Sequence, residues 1–230
     1  MKQCSVCKCK TVLNSGKLHV CDSCGHGYRS YSGDIVEFHK EEYRNTHKRN
    51  QKEFLENTVT ELFHDARKAI VENRLKLIKK YLDKSDYVLD IGSGAGTFAK
   101  RISPFVHSVD CLELDPRLIE ESIRLGFKTF KQDFLSQEIT TKYQIVFAWH
   151  VLEHIDDIHE FLKKCQIISD KYVIIEVPVN RKPSKNFEGH LHYFTKESLK
   201  ILCESSGLKT VSILNGVQKP AILGIFNNRK

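Results

Sequence analysis

The chain has 230 residues, of which 40% are hydrophobic, 10% aromatic and 28% charged; this leaves room for one full α/β domain plus a small appendage and excludes a disordered chain. No stretch approaches the ~18 uninterrupted apolar residues of a spanning helix, and the opening MKQCSVCKCK lacks the apolar core of a secretory signal, so the expected setting is cytoplasmic, without membrane insertion. The net charge of +7 lies almost wholly within residues 1–84, where it either draws nucleic acid or anionic substrates or forms a solvated lysine-rich face.

In a reducing compartment, eight cysteines read as metal ligands and core residues rather than as disulfides. Cys4 and Cys7 form one CxxC pair, and Cys21 and Cys24 form a second after thirteen intervening residues. This is zinc-ribbon spacing: two knuckles present two thiolates each, joined by a hairpin whose strands, near 11–13 and 18–20, flank a turn at Asn14, Ser15 and Gly16. The expected occupant is a structural Zn2+, with Cys9 and His26 as neighbouring alternative ligands. Cys111, Cys165 and Cys203 stand in apolar contexts and are expected in the core. After the Gly25 turn come Tyr28, Tyr31 and Gly33, then a short apolar run, which closes a ribbon module over residues 1–38. This layout resembles the zinc ribbons fused ahead of some methyltransferase domains, such as the ribosomal RNA guanine methyltransferases.

Residues 39–84 contain no proline or glycine. Phe54, Leu55, Val59, Leu62, Phe63, Ala66, Ile70, Leu75, Ile78 and Leu82 recur at helical spacing, which predicts two or three helices forming a connecting segment or lid. The basic stretch 44–52, where the apolar pattern is weakest, is the expected hinge.

YVLDIGSGAGTF (87–98) reads as a buried strand, a glycine-rich turn and a helix start. Glycines there let the backbone approach a ligand that a β-carbon would exclude. Counted from Gly92, the third glycine of a dinucleotide fingerprint falls on Thr97, which departs from the nicotinamide-binding pattern. SVDCLE (108–113) reads as the next strand, with Glu113 at its carboxyl end, where a doubly wound sheet binds ligands and a carboxylate can accept from a ribose diol. Asp115 and Pro116 read as a helix cap and first helical position.

Asp90, Gly92, Gly94 and Gly96 match the acidic residue and GxGxG of the class I methyltransferases, and the similarity continues in order along residues 87–210. The resemblance implies S-adenosyl-L-methionine as cofactor and a Rossmann-like, seven-stranded methyltransferase domain over residues 85–230. It further implies that Asp133 accepts from the adenine amino group and that Phe134 offers a ring near the base. Ser93, Leu114 and Trp149 complete the expected cofactor shell.

YQIVFAW (143–149) is the expected central strand, and HVLEH (150–154) follows it. That pentapeptide is similar to one common in small-molecule methyltransferases, while the Asn/Asp-Pro-Pro-aromatic motif of many nucleic-acid amino-methyltransferases is absent. YVIIEV (172–177) reads as the fifth strand, HLHYFT (190–195) leads to a helix capped by Thr195, and two final strands near 211–214 and 221–226 complete the sheet.

Methyl transfer from a sulfonium is an in-line displacement that chiefly needs alignment, assisted by a general base when the acceptor is a hydroxyl or an acidic carbon. His150, His154, His190 and His192 are the candidates, and each has a purely structural alternative as a cap or loop tie. The expected reaction is methylation of an oxygen or carbon of a small-molecule acceptor, such as a nucleotide sugar or lipid precursor. The alternative is methylation of ribosomal or transfer RNA, with the ribbon and the basic N-terminal region recognising RNA.

Overall fold

A computed structural model of the chain describes residues 3–14, 18–38, 61–179, 189–218 and 220–228, with backbone only at 12–14 and 61–66. The expected hinge at 44–52, the positions Phe54, Leu55 and Val59, and the turn residues Ser15 and Gly16 lie outside the described residues.

The N-terminal segment forms three short antiparallel strands, β1 (Thr11–Asn14), β2 (Leu18–Cys21) and β3 (Gly27–Arg29), followed by a single helical turn, α1 (Ile35–Glu37), capped by Asp34. A long helix, α2 (Glu61–Ile78), then leads into the α/β domain. Its strands are β4 (Tyr87–Ile91), β5 (Ser108–Leu112), β6 (Lys128–Phe130), β7 (Tyr143–Trp149), β8 (Ser169–Pro178), β10 (Lys209–Asn215) and β11 (Ala221–Asn227), and the two-residue β9 (His192–Tyr193) stands apart from them.

The seven strands order as β10-β11-β8-β7-β4-β5-β6. β4 to β8 run parallel, while β11 and β10 close one edge antiparallel. This is the expected Rossmann-like methyltransferase sheet. Both faces are covered, which is why β7 and β8 read as continuous apolar runs. On one face α2 and α3 (Thr97–Ile102) bury Val71, Leu75, Ile78, Phe98 and Ile102 against Val88, Ile145, Phe147 and Ile174. On the other, α5 (Ile158–Ile168) and α6 (Lys196–Ser205) bury Phe161, Leu162, Cys165, Leu199, Leu202 and Cys203 against Leu89, Ile91, Val146 and Ile175. Alternation along each strand thus feeds two separate hydrophobic layers. Between β5 and β6 lies α4 (Pro116–Arg124), whose start is set by Asp115, a side-chain acceptor for Arg117 N, and by Pro116 at the first turn. Among the described residues no helix is long and apolar enough to cross a membrane.

The ribbon does not stand alone. β9 adds a fourth strand to its sheet, in the order β1-β2-β3-β9, pairing Tyr28 with His192 and Gly27 with Tyr193. Thr195 Oγ1 donates to Cys24 O (2.6 Å), and His159 Nε2 meets Ser5 O at 2.8 Å. Cys4, Val6, Cys21 and Cys24 are continuous with the hydrophobic layer that holds α5 and α6.

Candidate active site and metal centre

The carboxyl ends of β4, β5 and β7 open onto two cavities of about 320 and 330 Å³ that share Gly92, His150 and His154. The first is lined by Leu112, Glu113, Leu114, Asp133, Phe134 and, from the end of the N-terminal module, Ile35 and Val36. The second is lined by Asp90, Ser93, Gly94, Trp149, Glu153 and His190, with Arg67, Ile70, Val71 and Arg74 of α2 as its far wall. The sequence-predicted residues are therefore divided between two adjoining spaces. Gly96, at φ +75, is the cap residue of α3.

Glu113 lies one residue beyond β5. Its carboxylate accepts from Gly94 N (2.8 Å), Leu114 N (2.7 Å) and Asp115 N (3.0 Å), which ties the glycine loop to the end of the strand. Asp133 accepts from Leu135 N (2.9 Å). Phe134 borders the first cavity but packs its ring on Phe161, with centroids 4.9 Å apart. Asp90 is buried, and neither of its oxygens has a hydrogen-bond partner among the described residues; the same holds for Trp149 Nε1. Burial raises the Asp90 pKa to about 7, with Arg74 pulling it down and Glu113 adding to the rise. Buried polar atoms left in this state call for a partner such as a ligand, an ion or water.

His150 follows β7 with φ 57, a left-handed conformation uncommon outside glycine. The turn places its ring between two fully buried carboxylates: Nε2 lies 3.1 Å from Glu176 Oε1, and Nδ1 lies 3.3 Å from Glu153 Oε1. Burial alone would lower its pKa, but Glu153 and Glu176 outweigh that and raise it to about 9. Glu176 also accepts from Arg74 Nη2 (2.7 Å) and Val217 N (2.7 Å). The Arg74 guanidinium in turn lies 4.5 Å from the centroid of the Trp149 ring.

His154 Nδ1 donates to Gly189 O (2.8 Å), and its Nε2 lies 3.8 Å from Glu153 Oε1. His190 meets it edge-on, with ring centroids 4.8 Å apart. His192, expected with the other three histidines, lines neither cavity. It is 2% exposed, lies 3.1 Å from His26 Nε2 through Nδ1, and stacks on that ring. The reason is a long-range strand pairing: His190 precedes β9 whereas His192 lies within it, and pairing with Tyr28 commits His192 to the N-terminal sheet. Arg74, Glu153 and Glu176 were not among the residues expected at the site. A glutamate inside the otherwise apolar run 172–177 is the sequence signal for Glu176, because a buried charge needs partners.

Near the N-terminus, the Sγ atoms of Cys4, Cys7, Cys21 and Cys24 lie within 4.8 Å of one another, with Cys4–Cys24 at 3.7 Å and Cys7–Cys21 at 3.3 Å. A tetrahedron with Zn–S bonds of ~2.3 Å has edges of about 3.8 Å. The backbone repeats itself around the cluster: Cys4 N donates to Cys9 O and Lys8 N to Cys4 O, as Cys21 N donates to His26 O and Gly25 N to Cys21 O. Lys8 and Gly25 occupy matching positions and both have positive φ. Cys9 is exposed and outside the thiol cluster, and His26 turns its Nε2 to His192.

A family model described as a methyltransferase domain matches residues 62–213. No curated protein matches the chain. Among solved structures, the chain is similar to an S-adenosylmethionine-dependent methyltransferase from Clostridium acetobutylicum (11% identity, covering 77% of this chain and 96% of that one, TM-score 0.57). It is similar also to a DhpI–SAH complex (17%, 85% and 98%, 0.62) and to magnesium protoporphyrin IX methyltransferase from Synechocystis with bound SAH (12%, 85% and 98%, 0.57). At these identities the structural likeness is one of fold. With two thirds of its length matched by the family and the glycine loop at the carboxyl edge of the sheet, the chain belongs to the methyltransferase-domain family and is an S-adenosylmethionine-dependent methyltransferase.

Proposed function

We propose that the enzyme methylates an oxygen or carbon of a small polar metabolite. The observation that carries this reading is the pair of cavities meeting at Gly92, His150 and His154. The first, with apolar walls at Leu114 and Phe134 and carboxylates at Glu113 and Asp133, suits an adenosine: Glu113 would serve the ribose and Asp133 the adenine amino group. The second suits the charged amino-acid end of the cofactor, toward Asp90, Ser93, Gly94 and Trp149, with the acceptor beyond it. When bound, the cofactor supplies a methyl group already activated on a sulfonium.

The chain's own residues supply alignment and charge. His150, protonated near neutral pH between Glu153 and Glu176, acts as a fixed cation rather than a general base. His154 and His190 remain as the side chains that serve the acceptor, and His192 belongs to the ribbon contact. Cys4, Cys7, Cys21 and Cys24 are assigned a structural Zn2+, supported by their spacing and the repeated knuckle geometry. A cavity bounded by α2 favours a small acceptor over an RNA strand, which needs an open basic groove.

Calorimetry with S-adenosylhomocysteine tests the cofactor assignment. Glu113→Ala is expected to weaken binding more than tenfold, from the loss of roughly 1.5–3 kcal/mol of charge-assisted hydrogen bonding. Equal affinities would remove Glu113 from the site. A labelled-methyl screen of a metabolite extract beside ribosomal and transfer RNA tests the acceptor, and methylation of one defined nucleotide would overturn the metabolite reading.

A further inference from the structure

We propose that Glu153, His154 and His190 form a second metal site, for one divalent transition-metal ion, in the cavity that faces the acceptor. The three side chains present one carboxylate oxygen and two imidazole nitrogens within 4.8 Å of one another, and Glu153 Oε1 lies 3.8 Å from His154 Nε2.

They come from two segments that are clipped together. Glu153 and His154 occupy the short 3-10 turn Leu152–His154 after β7, and His190 stands just before β9. Leu191 N donates to Glu153 O (2.8 Å), and His154 Nδ1 donates to Gly189 O (2.8 Å). The second bond fixes the tautomer that directs Nε2 of His154 toward Glu153, and a histidine metal ligand is commonly oriented by such a bond from its other nitrogen to a backbone carbonyl.

Glu153 independently points to a ligand. It is 0% exposed, it borders the cavity, and neither oxygen takes part in a properly aligned hydrogen bond. His150 Nδ1 stands 3.3 Å from Oε1 and is its cationic partner on one side, a partner shared with Glu176 through Nε2. The edge of the carboxylate that meets His154 and His190 is where a metal would sit.

The donor set fits. Two imidazoles and one carboxylate with further positions open to the cavity suit a first-row ion such as Zn2+, Mn2+ or Fe2+. Ligand bonds of ~2.0–2.2 Å would draw the donor atoms to about 3.0–3.6 Å apart, a contraction that side-chain rotation of His190 would supply. The open positions would hold an oxygen donor of the acceptor opposite the glycine loop. That use rests on the methyltransferase reading of the cavity, whereas the binding of the ion does not.

Mn2+ is the probe, because thiolate ligands such as those of the ribbon select softer ions. The full-length chain, purified with its ribbon intact, is treated with a mild chelator and titrated with Mn2+ while the six-line resonance of the free aqueous ion is followed. One ion bound per chain is expected. His190→Ala, at a partly exposed loop position, and the near-isosteric Glu153→Gln are each expected to weaken binding about tenfold or more. A wild-type titration identical to that of buffer, or undiminished binding by His190→Ala, would overturn the proposal. Calorimetry with S-adenosylhomocysteine on the same wild-type sample separates failure of the metal site from failure of the cofactor assignment.

Discussion

A Cβ added at Gly94 meets no atom within 4 Å, whereas one added at Gly92 would lie 2.5 Å from Val151 Cγ2; both glycines have positive φ. Gly94→Ala is therefore expected to lose only the left-handed backbone cost of about 1–2 kcal/mol in stability. Its methyl would still intrude on the space assigned to the cofactor, so binding should fall by a larger factor. Gly92→Ala adds a clash and should lower Tm more. Thermal unfolding beside calorimetry distinguishes them, and unchanged cofactor affinity in Gly94→Ala would show that the loop is not the cradle. Asp90 gives a second handle. Its carboxyl titrates near 3.8 when unfolded and near 7 when folded, so the native state retains a proton that the unfolded chain has lost. Stability thus falls as pH rises across that window, and a cationic ligand in the cavity opposes the effect by favouring the carboxylate. Arg74, Glu113 and the Cys111 thiol are the ionisable groups around it. Binding of S-adenosylmethionine at pH ~6.5 should release a fraction of a proton, measured as a dependence of binding enthalpy on buffer ionisation; identical enthalpies in all buffers would exclude the link. Asp90, the loop glycines and Glu113 were legible because strand, turn and strand end follow directly from local pattern. The position of His192 was not, because it depends on a strand partner 164 residues away in sequence, Tyr28.

At the scale of elements, α2 was legible as a helix, and its spacing already set Leu75 and Ile78 on one inward stripe, whereas the buried Val71 and the partly buried Arg74 beside them were not expected. What the stripe meets was not legible. Arg74 reaches Glu176 of β8 through both Nη2 (2.7 Å) and Nε (3.2 Å), fastening the helix to the middle of the sheet beside Trp149. The helix is therefore a wall of the second cavity. Arg74→Ala leaves a fully buried carboxylate with only His150 and Val217 N as partners, and about 3 kcal/mol of stability should be lost. Arg74→Lys should restore little of it, since an ammonium cannot reproduce two contacts from one planar group. Denaturant unfolding measures both, and a loss below ~0.5 kcal/mol in Arg74→Ala would mean that the pair is not held in solution.

In the whole molecule the N-terminal thiol cluster and the first cavity are joined by direct contacts. CxxC spacing made the thiol cluster legible, but spacing does not reveal that β9 completes the N-terminal sheet, that Thr195 grips the second knuckle at Cys24, or that Ile35 and Val36, at the end of the N-terminal segment, line the first cavity. Those contacts join segments far apart in sequence, and two-residue strands carry no periodic signal. They also set what removal of the ribbon should do. Deleting residues 1–38 would strip β9 of its partner, expose the layer that Cys4, Val6, Cys21 and Cys24 share with α5 and α6, and open one wall of the cavity. The truncated chain is therefore expected to be poorly soluble or to bind S-adenosylhomocysteine at least about tenfold more weakly, a cost on the order of 1.4 kcal/mol. Cys24→Ser, or a strong chelator applied to the intact chain, should act in the same direction by releasing the zinc assigned to the knuckles, lowering Tm and cofactor affinity together. Elemental analysis, thermal unfolding and calorimetry on the same preparations test the chain of cause. Zinc near zero in a folded wild-type protein would remove the metal from the account. A truncated chain with unchanged affinity would show instead that the ribbon is a separable module, free to serve a partner of its own.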